Sequence, residues 1–269
     1  MIKVFVASAA ISVLAASTGH AAEPGFLSDG TVNICTTANF PPMTFKKNVE
    51  DRLPSGIDIE IAERLAKEWG AKTSYTVTEF AGLLPTLGAG RCGLIISGIY
   101  LNDERRKSYD AVRYMKSATV LVTKADNTEI TVPEALSGKT VALESGSYYK
   151  AERVDPLNEQ FAAAGKPVIS VQDYPAQQAA YQQVLVGRVD ATLTEEAEGA
   201  YRVASAPDQL KLAYTWKSES TYGIYMRKNP DDMAAVRSTL EKLRKDGFFV
   251  ELAKKYGLDA SVFDVDYGS

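Results

Sequence analysis

The chain has 269 residues, 45% hydrophobic and 24% charged, with a formal net charge of −4. That composition is globular and leaves room for one large domain or two ordinary ones. With no large basic block, nucleic acid is excluded as an expected partner.

The N-terminus reads as an export signal. Lys3 supplies the positive charge, and Val4 to Ala16 is an apolar run shorter than the roughly 20 residues a bilayer span needs. Gly19-His20-Ala21 ends in small residues, which places cleavage near Ala21/Ala22, and no cysteine stands there to carry a lipid. Nothing later is long and apolar enough for a membrane helix, so a soluble periplasmic protein is expected. His20 is the sole histidine and leaves with the signal. Ser–His and Cys–His nucleophile pairs and histidine-ligated metals are thereby excluded. Cys35 and Cys92 are too few to suggest a metal site, and no cofactor is expected. Were their strands parallel neighbours, one thiol would lie near a strand end and the other at a strand start. That reading expects two unpaired, buried thiols.

In chain order, 31–36 is a strand and 37–42 (Thr-Ala-Asn-Phe-Pro-Pro) a rigid loop with Phe40 at its tip. Residues 56–69 space Ile57, Ile61, Leu65 and Trp69 as a helix does, and Gly70 stops it. A strand at 73–77, a short helix at 80–88 and a strand at 93–97 follow. This β-α-β-α-β order predicts a parallel sheet covered on both faces, with ligands at the carboxyl ends of its strands. After an extended run at 117–123 the pattern restarts: strand 140–143, a helix opened by Ser145-Gly146-Ser147-Tyr148-Tyr149, strand 167–171, helix 176–186, strand 189–193, helix 195–203 and an extended segment at 210–213. A further extended segment at 221–226 precedes two amphipathic helices, 231–245 and 247–256. Two α/β units joined by two extended segments imply two lobes with a cleft between them.

The stretch Ile95 to Arg105 holds the sharpest chemical signal. An apolar strand ends at Ser97-Gly98, and Asn102 and Asp103 read as helix N-cap and first turn. Backbone N–H groups at such a junction suit an anion, and Arg105 follows about one turn on, where its fork can meet a carboxylate. Alternatively, Arg105 is a surface arginine paired with Glu104 or another acid nearby.

Together these motifs keep a recognisable order: Phe40-Pro41-Pro42, Gly56-Ile57-Asp58-Ile59-Glu60, Phe80-x-x-Leu83-Leu84-Pro85, Ser97-Gly98 with Arg105, Ser145-Gly146-Ser147, Gly187-Arg188-Val189-Asp190-Ala191 and Asp246-Gly247-Phe248. The chain resembles the periplasmic polar-amino-acid-binding proteins that serve ABC importers, the bacterial extracellular solute-binding family 3. The resemblance implies a two-lobed type II periplasmic-binding-protein fold, α/β, each lobe a mostly parallel sheet flanked by helices. The expected boundaries are a signal at 1–21, a first lobe at 22–117 and 220–269, and a second at 118–219. It further implies a monomeric carrier that captures an amino acid or similar zwitterion and delivers it to an inner-membrane ABC permease.

By the same resemblance Arg105 clamps the ligand carboxylate, and Ser97 and Gly98 contact the ligand backbone. Phe40 and Phe80 sandwich its side chain, and Ser147 with its neighbours offers the second-lobe helix start. Glu195 stands where the family has an aspartate for the α-amino group, with Glu196 and Glu198 as alternatives on the same helix. Three departures stand out: Tyr100 and Tyr148 replace small hydroxyl residues, and Glu195 is longer than aspartate. Tyr100 and Tyr148 are expected in the pocket and Tyr149 to point away. Thr37 stands where binders of long basic side chains carry an acid, a role Glu144 would fill only by facing inward. An enzyme on this scaffold, of the cyclohexadienyl dehydratase kind with Glu195 or Glu198 as general acid, and an accessory or sensing protein are the alternatives.

Overall fold

The computed structural model describes residues 24–217 and 220–267. The expected signal segment and its cleavage site lie outside the described residues.

The chain enters through β1 (Leu27–Ser28) and β2 (Thr31–Thr36), and a small hairpin, β3 (Asn39–Phe40) and β4 (Thr44–Phe45), crosses above the end of β2. Helix α1 (Ile57–Glu68) buries Ile57, Ile61 and Leu65, the stripe its spacing foretells. After it come β5 (Lys72–Val77), α2 (Leu83–Gly88), β6 (Leu94–Ile95), α3 (Asp103–Ser108) and β7 (Tyr109–Ser117). The chain then passes into β8 (Thr119–Lys124), β9 (Thr140–Glu144), α4 (Asp155–Ala163), β10 (Ser170–Tyr174), α5 (Gln177–Leu185), β11 (Ala191–Glu195), α6 (Glu196–Ser205) and β12 (Leu210–Thr215). It returns through β13 (Ser220–Arg227), α7 (Pro230–Lys245) and α8 (Phe248–Tyr256). No helix among the described residues is long and apolar enough to cross a membrane.

Two sheets result, built on one plan. In the first, β5, β2 and β6 run parallel, and β13 and then β7 are added, β13 antiparallel to both neighbours. In the second, β10, β9 and β11 run parallel, and β8 pairs antiparallel with both β11 and β12. In both, the parallel strands end on the side where the lobes face one another. Apolar clusters cover both faces of each sheet: α1, α7 and α8 against α2 in the first lobe, and the α4 side against α5 in the second. Such double covering is what a parallel core needs, and it explains why β9 is buried along nearly its whole length.

Several elements differ from the sequence reading. The extended run expected at 117–123 is two strands broken at Ala118, and β7 before it was not foreseen. Tyr109–Ser117 interleaves Asp110, Arg113 and Lys116 with its buried residues, and its pairing with β13 shifts register near Tyr222, so no clean alternation marks it. Strand β10 sits three residues later than the apolar run at 167–171, because it is an edge strand with mostly exposed, polar residues. The helix after Tyr149 begins as a π turn, Lys150–Val154, before Pro156 opens the α-helical part.

Cys35 and Cys92 form a disulfide, with Cα atoms 5.7 Å apart, which corrects the expectation of free thiols. Cys92 is not in a strand: it precedes β6, where the chain comes down from α2 and bends at Gly93. Both cysteines belong to the cluster beneath α2, together with Leu83, Leu87 and Ile95.

Candidate functional site

The first lobe builds its wall from the ends of β2 and β6. The Ser97 hydroxyl accepts from the Thr37 amide at 2.9 Å and donates to the Thr37 hydroxyl at 3.2 Å, while Thr44 donates to the Thr37 carbonyl at 2.6 Å. Ser97 thus fixes the 37–40 loop, and Thr37 is spent within the same buried network. Gly98 has φ +54°, and a Cβ there would lie 2.7 Å from the Phe40 ring, so only glycine lets that ring close over the turn. Phe40 itself is buried in the first-lobe core. Beneath Gly98, Asp58 is wholly buried and receives the Tyr114 hydroxyl at 2.7 Å. Burial pushes its carboxyl up to about 7.

Arg105 reaches across the gap. Asn102 caps α3 by accepting from the Arg105 amide at 2.9 Å, as its sequence position suggests. One end of the guanidinium donates to the Tyr100 carbonyl at 2.6 Å and the other to the Gly146 carbonyl of the second lobe at 3.0 Å. The Phe80 ring lies 5.6 Å from the guanidinium carbon, a cation–π distance. Glu104 pairs instead with Lys107. Gly146 has φ +80°, and a Cβ there would come within 3.0 Å of the Ala81 backbone, so the two main chains meet closely here.

On the second lobe, Ser147 and Tyr148 follow this turn. The Tyr148 ring stacks on Tyr100 of the first lobe, centroids 4.0 Å apart. Its hydroxyl donates to Glu195 at 2.6 Å and lies 2.8 Å from the Thr119 hydroxyl. Glu195 ends β11, and Tyr149 and Ser220 also donate to it, at 3.4 and 3.3 Å. Ser220 opens β13, so this carboxylate touches a strand that joins the lobes. Arg153 donates to Thr119 at 3.0 Å and lies 5.6 Å from the Tyr148 ring.

The other acids on α6 separate cleanly. Glu196 is exposed, whereas Glu198 is buried, accepts from Thr194 at 2.5 Å and pairs with Arg202 at 3.3 Å. Arg202 also donates to the Asn39 carbonyl of the first lobe at 3.3 Å, and Tyr201 approaches Phe45, which makes a second contact between lobes. Glu144 is buried and accepts from the Gln177 amide at 3.1 Å. Burial pushes Glu144 up to about 8 and Glu198 up to about 7, the latter opposed by Arg202. It raises Glu195 too, against the hydroxyls of Ser117, Tyr148, Ser220 and Tyr149.

Of the residues singled out in the sequence, Arg105, Tyr100, Tyr148 and Glu195 therefore cluster around the gap, with Gly98, Phe80 and Ser147 on its flanking turns. Ser97 and Phe40 support the wall from within the first lobe. Tyr149 does not point away: it is buried against Glu195, which corrects the expectation. Arg153, Thr119, Ser220 and Arg202 were not foreseen. Arg153 follows Tyr148 by five residues and meets its ring only because the backbone there winds as a π turn, a periodicity that helical spacing does not reveal. Among the described residues no group of His, Cys, Asp and Glu is placed to hold a metal ion.

A two-lobed α/β molecule with charged and aromatic side chains converging on the gap between parallel-strand ends has the type II periplasmic-binding-protein architecture. The chain belongs to the bacterial extracellular solute-binding proteins, family 3, whose profile matches residues 32–259. It is 28% identical over 236 residues to the L-cystine-binding protein TcyJ of Escherichia coli K12, covering 86% of this chain and 85% of that protein. Its fold matches an ancestral arginine-binding protein bound to arginine, with a TM-score of 0.76, 30% identity, and coverage of 84% and 98% of the two chains. It also matches the ancestral amino acid-binding protein AncCDT-1, a precursor of cyclohexadienyl dehydratase, with a TM-score of 0.71, 28% identity, and coverage of 84% and 95%.

Proposed function

We propose that this chain is an exported periplasmic carrier that traps an amino acid or amino-acid-like zwitterion between its lobes and hands it to an ABC permease of the inner membrane. The observation that carries this reading is Arg105, a first-lobe cation whose guanidinium already reaches the second lobe at Gly146. The second lobe offers the opposite charge at Glu195, so only the closed arrangement presents both ends of a zwitterion with their partners. Closure is then driven by the ligand's preference for the closed state. Tyr100, Tyr148 and Phe80 supply faces for the rest of the ligand, and the amino-acid-binding relatives support the ligand class.

Calorimetry with a panel of amino acids, L-cystine and L-arginine included, tests the proposal. At least one member should bind saturably, and a flat panel would sink it. Adding prephenate and arogenate to the panel separates carrier from enzyme: binding heat without product supports the carrier, and turnover of either compound overturns it.

A further inference from the structure

Burying a carboxylate favours its neutral form, yet an acid that meets a ligand's ammonium end has to be charged. Glu195 is 1% exposed, so it faces this conflict. The hydrogen bonds around it run in one direction. Arg153 Nε can only donate, so the Thr119 hydroxyl accepts from it, at 3.0 Å. The Tyr148 hydroxyl gives its one proton to Glu195 Oε1 at 2.6 Å, so across the 2.8 Å to Thr119 it is the Thr119 hydroxyl that donates to Tyr148. A fixed cation is thus joined to the carboxylate through two oriented hydroxyls. Ser220 supplies a further donor at 3.3 Å to the other carboxylate oxygen.

We infer that Arg153, acting through Thr119 and Tyr148, holds Glu195 as an oriented carboxylate, which makes Arg153 and Thr119 positioning residues for the acid that meets the cationic end of the ligand. The inference deepens the zwitterion reading and rests on it for the use made of Glu195. Tyr148 serves two contacts at once, its hydroxyl lying between Thr119 and Glu195 Oε1 while its ring packs on Tyr100. The other groups facing Glu195 are Tyr149, Tyr222, Tyr100 and Ser117, with Glu198 and Glu144 as neighbouring acids and Glu152 beside Tyr100. The neighbouring acids disfavour charge on Glu195, and Arg153 is the cation that the hydrogen-bond chain connects to it.

The test needs no ligand, so its failure is distinct from failure of the amino-acid reading. Carbon-13 NMR of protein labelled at glutamate side-chain carboxyls follows the Glu195 resonance, assigned by its loss in Glu195→Gln. Thr119→Val and Tyr148→Phe each remove one hydroxyl and keep the shape. Each should weaken the Glu195 acid tenfold or more, moving its titration up by about one pH unit or more. Thr119→Ser, which keeps the hydroxyl, should titrate with the wild type. Titration unchanged in both Thr119→Val and Tyr148→Phe, or a wild-type Glu195 found protonated at neutral pH, would overturn the inference. Shifted titrations beside a flat amino-acid panel would uphold the relay and overturn the zwitterion reading alone.

Discussion

Arg105 and Asp58 show how differently two charged residues of one wall behave. Arg105 is half-buried and donates to two carbonyls, one from each lobe. Removing one partner of a buried charge pair costs about 2–5 kcal/mol. Arg105→Ala should therefore weaken binding of the amino acid found in the panel by roughly 30-fold or more, read by calorimetry. Arg105→Lys should fall between, since it keeps the charge and loses the fork. Asp58 instead sits in the neutral range, pushed up to about 7 by burial, with Glu198 at about 7 and Glu144 at about 8. An acid whose folded value is raised holds its proton in the native state after the unfolded chain has released it. Its contribution to stability is complete at acid pH and is lost as pH rises through the folded value. The melting temperature should accordingly fall from about pH 4 to about pH 8 and level off above it, the window between the ordinary carboxylate values of 3.8 and 4.5 and the folded values of about 7 and about 8. Asp58→Asn should flatten part of that fall between about pH 4 and pH 7, and a slope unchanged in the variant would refute the assignment.

Among the elements, α3 is one of the two shortest α-helices and carries Arg105. It spans Asp103–Ser108, too short to be stable alone, and is held by the Asn102 cap and by β7 after it. Loss of such a cap costs about 1 kcal/mol. Because the capped amide belongs to Arg105, Asn102→Ala should loosen the guanidinium and weaken ligand affinity by about fivefold, with a melting-temperature change of only a few degrees. Asn102→Ser should restore most of the affinity. This cap was legible in the sequence, as were the α1 stripe and the Ser97-Gly98 turn, since each is signalled by neighbours along the chain, whereas Glu195 was reached through the family resemblance and was expected to open a helix, not to end β11. What stayed hidden depends on partners far away in sequence. The β7 strand is specified by its pairing with β13, Tyr149 is drawn inward by Glu195, and Arg153 reaches Thr119 by way of a π turn. No local pattern encodes these contacts.

For the whole molecule, the arrangement is two like sheets whose strand ends oppose one another, joined by strands that belong to both the framework and the site. Ser220 at the start of β13 and Thr119 at the start of β8 each sit beside a connection and each bond to the Glu195 cluster. In the proposed carrier, closure and ligand contact are thus read by the same side chains. The first lobe is also tied covalently beneath its wall by Cys35–Cys92, which spans 57 residues. A crosslink over a loop of that length stabilises by about 4 kcal/mol on chain entropy. Reduction, or a Cys35→Ala/Cys92→Ala double variant, should lower the melting temperature by several degrees or more, whereas an unaffected melting curve would show that the bridge contributes little.

That bridge also encloses the segment between β4 and α1, where Val49 is 94% exposed and Leu53 is 60% exposed. Projecting segments of this sort are where proteases nick. A single cut there opens a ring instead of dividing the chain, so the nicked protein loses no residues, gains only the water of hydrolysis, and migrates as one piece until a thiol reductant releases two fragments. Samples judged intact without reductant can therefore carry a break in the backbone.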